Sequence, residues 1–168
     1  MTAITAREQG EIDEANASGQ PPVVFVHGLW LLANSWDPWR VFFQEHGFTT
    51  LAPGWPDDPE TVAAAREHPA AFAGKTVGAV TDHIAAVIKQ LDRKPVVIGH
   101  SFGGMIAQKL AGLVLAAVTV AIAPPPIIAG ENDNTVPWRS PTPPTSNTPK
   151  TRPDRDQQDA WARPRAHD

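Results

Sequence analysis

The sequence predicts an α/β fold, with a mostly parallel sheet flanked by helices. Two observations predict it. Short apolar, β-branched runs recur at Val23-Val24-Phe25-Val26, Phe48-Thr49-Thr50-Leu51-Ala52, Pro95-Val96-Val97-Ile98 and the stretch 113–122. Segments of helical character separate them, in strand–helix alternation. That order implies a parallel sheet covered by helices on both faces.

The elements follow in chain order. Residues 1–20 are polar, hold no apolar stretch of signal-peptide or membrane-spanning type, and are expected to form a disordered N-terminal segment. Residues 21–138 carry enough Val, Ile, Leu, Ala and Phe for a core and form the expected domain. Its first strand ends in His27-Gly28-Leu29-Trp30. Ser35 then suits a helix N-cap, with Trp36-Asp37-Pro38-Trp39 as first turn, a helix to His46 and Gly47 as the C-terminal glycine. Trp36, Trp39, Phe42 and Phe43 keep helical spacing and read as packing residues. After the strand at 48–52 comes the loop Pro53-Gly54-Trp55-Pro56-Asp57-Asp58-Pro59, where Trp55 either lines a pocket or sits on the surface.

Residues 76–91 give the clearest helix, because Val77, Val80, Ile84, Val87, Ile88 and Leu91 recur in steps of three and four. His83 falls off that stripe and reads as a solvated or packing histidine. Gly74-Lys75-Thr76 imitates the end of a P-loop, but Pro69 occupies the position where that motif requires glycine. The strand 95–98, a helix to about Ala111 and a fully buried strand at 113–122 complete the series.

Between that third strand and its helix stands Gly99-His100-Ser101-Phe102-Gly103. A G-x-S-x-G pentapeptide in this setting is a nucleophile elbow, which lifts a serine hydroxyl above the sheet edge. The glycines remove Cβ atoms that would collide where strand and helix cross. The helix that follows aims its first N–H groups at the same spot.

With the His27-Gly28-Leu29-Trp30 loop, this elbow resembles the α/β-hydrolase superfamily, in its serine esterase or lipase-like form. The resemblance covers 21–123 and, by motif, 127–138. It implies Ser101 as nucleophile, with oxyanion donors at the backbone N–H of Leu29 (Trp30 is the alternative) and of Phe102. His27 is then expected to orient the loop and transfer no protons. The stretch Gly130-Glu131-Asn132-Asp133, followed by Pro137, resembles the family's acid-bearing turn and implies Asp133 as triad acid; an Asp in a polar turn is the other reading. Only Ala123-Pro124-Pro125-Pro126 separates this stretch from the strand before it, whereas a parallel crossover needs a dozen or more residues. An incomplete family fold is therefore expected, lacking the cap region and the C-terminal strand, helix and histidine. His167 is the only histidine beyond the elbow helix.

Composition narrows the rest. Residues 139–168 hold four apolar side chains against ten charged ones, so a disordered tail is expected. The absence of cysteine removes disulfides and thiol catalysis, and a net charge of −4 argues against a nucleic-acid surface. The six histidines show no metal-ligand spacing. No cofactor, no metal, no nucleic acid and no membrane partner is expected, and the location expected is cytoplasmic. Two functions stay open: hydrolysis of a small carboxylic ester through an acyl-enzyme at Ser101, or a non-catalytic family remnant that acts by binding.

Overall fold

The computed structural model describes residues 3–126. Four strands, β1 (Pro22–Val26), β2 (Thr49–Leu51), β3 (Val96–His100) and β4 (Val118–Ile122), form one sheet in the order β2-β1-β3-β4. Every pairing is parallel: Val24 lies opposite Leu51 and Val97, and Ile98 opposite Val120. The order has a functional consequence. β1 is central, so the loop that leaves it lies between the loops that leave β2 and β3, all on the carboxyl edge where open α/β sheets hold their ligands.

Side-chain alternation along β1 sorts the core into two layers. Val24 and Val26, with Val97, pack beneath α1 (Ala6–Ser18), α4 (Val77–Ile88) and α5 (Phe102–Gly112). Val23 and Phe25, with Ile98, pack on the opposite face against Trp36 and Phe43, the latter from α2 (Asp37–Glu45). The stripe read from 76–91 is confirmed as α4, with Val80, Ile84 and Val87 buried and Thr76 capping the Ala79 N–H. Among the aromatic residues read as packing, Trp36 stacks on Phe25 at 4.9 Å and is buried, whereas Trp39 and Phe42 are about half exposed. A single 3₁₀ turn, Ala33–Trp36, stands where Ser35 was expected to cap. Gly47 takes φ 83°, as a C-terminal glycine should. A short α3 (Val62–Glu67) and a 3₁₀ turn, Pro69–Phe72, occupy a stretch given no element from sequence.

Two expectations are corrected. Within the segment 1–20, expected to be disordered, Ala6–Ser18 is a helix. Thr5 and Glu8 form a reciprocal capping box, Gly19 closes the helix at φ 66°, and Ile12 and Ala15 are buried in the core. A narrow apolar stripe suffices here, since a buried carboxylate supplies further contacts. The run 113–122 is not a fully buried strand. α5 ends in a turn through Val114 at φ 57°, and strand structure begins only at Val118. Val118 and Val120 are 54% and 41% exposed on β4, one of the two edge strands among the described residues, whereas β2 at the other edge is buried. None of the helices described is long and apolar enough to cross a membrane. The expected tail at 139–168 lies outside the described residues.

Candidate active site

Ser101 stands between β3 and α5 with φ 55° and ψ −124°, a conformation that strains any residue carrying a Cβ. Its surroundings impose it. A Cβ on Gly99 would sit 2.0 Å from the carbonyl oxygen of Gly103, and one on Gly103 would sit 2.1 Å from that of Val26. Strand, elbow and helix therefore touch backbone to backbone, and only glycine fits at either position. The edge strand holds the turn as well, since the Ser101 N–H donates to the Ile122 carbonyl at 2.9 Å. The Ser101 carbonyl accepts from Gly104 and Met105 at 2.8 and 3.2 Å, which starts α5. The N–H groups of Phe102 and Gly103 precede the first bond within that helix and carry the positive end of its dipole.

The loop after β1 lies against this elbow. A Cβ on Gly28 would meet the His100 carbonyl at 2.9 Å and the Ser101 Cβ at 3.0 Å, so the loop backbone reaches Ser101 only because Gly28 has none. Leu29 follows directly, half-buried, and Trp30 is exposed with φ 67°. The structure thus brings Ser101, Phe102 and Leu29 together at one edge. Asp133 and His167 lie outside the described residues.

Among the described residues no imidazole hydrogen-bonds to the Ser101 hydroxyl. His27 Nδ1 donates to the Gly28 carbonyl at 3.0 Å, His46 Nδ1 lies 2.7 Å from the Phe42 carbonyl, and His83 Nε2 lies 3.0 Å from Glu8 Oε1. His68 ends α3, and His100 ends β3. No group of three or more metal-ligating side chains occurs among the described residues.

Sequence reading missed two charged clusters. The first surrounds His27. Its Nε2 lies 3.2 Å from Asp58 Oδ2, within ion-pair range though off the line of a formal hydrogen bond. Asp58 also pairs with Lys75, and Trp55 stacks on the imidazole at 5.3 Å and 19° between planes. Burial alone would raise the Asp58 carboxyl, but His27 and Lys75 together hold it below its ordinary value. The second cluster joins α1 to α4. Glu8 accepts from Gly54 N and lies 3.0 Å from His83 at one oxygen, and accepts from Thr5 at the other, all while 2% exposed. Burial opposes the charge; the His83 and Thr5 contacts outweigh it and lower the carboxyl to about 2. A cavity of about 550 Å³ lies beside this second cluster, lined by Thr5, Arg7, Glu8, Trp55, Asp58 and His83; Ser101 is not in its wall.

The comparisons with known proteins agree with this geometry. A family model described as "Alpha/beta hydrolase family" matches residues 23–168. The chain is 32% identical over 123 residues to a non-heme chloroperoxidase of Streptomyces lividans, which covers 67% of this chain and 40% of that protein. It is 25% identical over 138 residues to a non-heme haloperoxidase of Rhodococcus erythropolis, 79% of this chain and 48% of that one. Among solved structures, a monoacylglycerol lipase of Paleococcus ferrophilus superposes with a TM-score of 0.54 at 23% identity, over 68% of this chain and 44% of its own. This chain spans less than half the length of each of them.

Proposed function

Because the chain belongs to the α/β-hydrolase family, we propose that its carboxyl edge carries serine-hydrolase chemistry on a small carboxylic ester, with Ser101 as nucleophile. The observation that carries this reading is the strained Ser101 turn with the Gly28 loop packed on it. Ser101 Oγ attacks the ester carbonyl carbon and loses its proton to a base. The carbonyl oxygen becomes an oxyanion facing the N–H groups of Leu29 and Phe102. Collapse expels the alcohol, which takes up a proton, and leaves an acyl group on Oγ; water then attacks and releases the acid. Each oxyanion donor of this kind contributes about 3–4 kcal/mol to the transition state. By the family resemblance Asp133 is the proposed acid, and no described residue is assigned as the base.

The test is hydrolysis of p-nitrophenyl butyrate by the purified chain and its Ser101→Ala variant, beside labelling by a fluorophosphonate probe. Turnover and labelling lost in Ser101→Ala support the reading. Equal rates in both, with no label, would overturn it and favour the second reading, a member that binds without turnover. That second reading draws on the lack of an imidazole at Ser101 among the described residues. The names of the two curated relatives add one arm: bromination of monochlorodimedone with hydrogen peroxide and bromide, again read against Ser101→Ala.

A further inference from the structure

We infer that Asp58 and Lys75 are positioning residues for the oxyanion loop, acting through His27. The inference rests on the serine-hydrolase reading for its kinetic consequence, and on geometry alone for the contact itself. The Gly28–Leu29 peptide is the unit to be aimed. Its two polar atoms point in opposite directions in a trans peptide, so whatever holds the Gly28 carbonyl also directs the Leu29 N–H. Two donors hold that carbonyl: His27 Nδ1 at 3.0 Å and Leu31 N at 3.3 Å. The first is the shorter, and it comes from a ring 1% exposed.

A carbonyl can only accept, so Nδ1 must carry a hydrogen, an assignment made from its acceptor. What keeps the ring turned that way lies at its far side. Asp58 Oδ2 faces Nε2 at 3.2 Å, off the line of a formal hydrogen bond, and its contact with that edge of the ring fixes the imidazole in place. Asp58 is itself fixed. Its side chain accepts from Trp55 N at 3.0 Å, its own N–H donates to the Trp55 carbonyl at 2.9 Å, and Lys75 pairs with its other oxygen. Lys75 approaches from the start of α4, its Nζ 5.3 Å from the Phe72 ring centroid. Trp55 closes the remaining face of the imidazole. The carboxylate and the ammonium are 5% and 9% exposed, so solvent screens neither effectively. A carboxylate that orients a histidine, which in turn orients a functional group, follows the logic of outer partners at metal and triad sites. Here the oriented group is a backbone amide.

The experiment reads kinetics and ring state separately, on the full chain. Asp58→Ala should lower kcat for p-nitrophenyl butyrate by about tenfold or more, with KM little changed, since an oxyanion donor acts in the transition state. Asp58→Asn, whose amide can donate to Nε2 and so keep the hydrogen on Nδ1, should restore most of kcat. Lys75→Met should fall between them. Long-range ¹⁵N–¹H NMR of the histidines should show one ordered His27 ring with a hydrogen on Nδ1 in the wild type and in Asp58→Asn, and shifted or broadened His27 ring signals in Asp58→Ala, where the ring is no longer held. An unaltered His27 pattern in Asp58→Ala, or equal kcat in all four proteins, would overturn the inference. If the wild type shows no Ser101-dependent turnover, the hydrolase reading fails and the ring pattern alone decides the clamp. If Asp58→Ala does not fold, Lys75→Met and Asp58→Asn decide it, with shifted or broadened His27 ring signals in Asp58→Asn counting against.

Discussion

Glu8 ties the N-terminal helix to the domain, and its charge makes that tie depend on pH. The carboxyl drops from an ordinary 4.5 to about 2 while 2% exposed, against the penalty of burial, because His83 and Thr5 hold its charged form. A folded value below the unfolded one contributes stability that is complete above the unfolded value and is lost as pH falls through the folded one. At about 1.4 kcal/mol per pH unit of separation, the contribution is on the order of 3 kcal/mol at pH 7, fading between about pH 5 and pH 2. Removing one partner of a buried pair costs about 3–5 kcal/mol, so Glu8→Gln should lose a similar amount at neutral pH. Urea unfolding followed by far-UV circular dichroism, at steps from pH 7 to pH 2.5, measures both. Asp58 is lowered too and weakens the fold in the same direction, but it does so equally in both proteins. The gap between the wild-type and Glu8→Gln curves therefore isolates Glu8. It should be about 3 kcal/mol at pH 7 and close as pH approaches 2.5. Parallel curves across the range would refute the argument.

Other substitutions probe the elbow and the core. Gly103→Ala puts a methyl 2.1 and 2.6 Å from the backbone oxygens of Val26 and His27, neither of which can swing aside. It should cost about 3 kcal/mol or more, and an unchanged melting temperature would contradict that. Ser101→Gly should melt above Ser101→Ala by the equivalent of about 1 kcal/mol, because glycine relieves the φ 55° strain and alanine does not. Ile12→Ala should lose about 2–4 kcal/mol in the same assay, since Ile12 is 1% exposed; a loss below about 0.5 kcal/mol would mean that α1 does not pack as described.

Much of the sheet and the elbow was legible because their signals are local. β1 and β3 are runs of valine, isoleucine and phenylalanine, α4 repeats its apolar residues at helical steps, and G-x-S-x-G marks its own turn. What escaped is non-local or polar. α1 has only Glu8, Ile12 and Ala15 buried, so composition hides it, although Thr5 and Glu8 spell a capping box that could have been read. The exposure of β4 depends on what packs against that edge of the sheet, which no property of its own residues announces. Lys75 was weighed only as part of a failed phosphate loop, yet it pairs with a carboxylate 17 residues earlier.

The strand order makes that pairing intelligible. β1 stands between β2 and β3, so the loop carrying Gly28 and Leu29 has two flanks. On the β3 side the elbow presses against it, and the contact is steric: Gly28 must lack a Cβ because Ser101 is there. On the β2 side the chain leaving Leu51 brings Trp55 and Asp58 against His27, and the contact is electrostatic. A steric contact sets how close the peptide lies to Ser101 but not how it is rotated about the chain direction. Rotation is set by the hydrogen bond to the Gly28 carbonyl, hence by His27, and so by the carboxylate behind it. The two flanks therefore control different coordinates of the same amide. Substitutions on the β3 side should damage the fold and the site together, whereas those at Asp58 should rotate the Gly28–Leu29 peptide while leaving the rest of the sheet and the elbow in place.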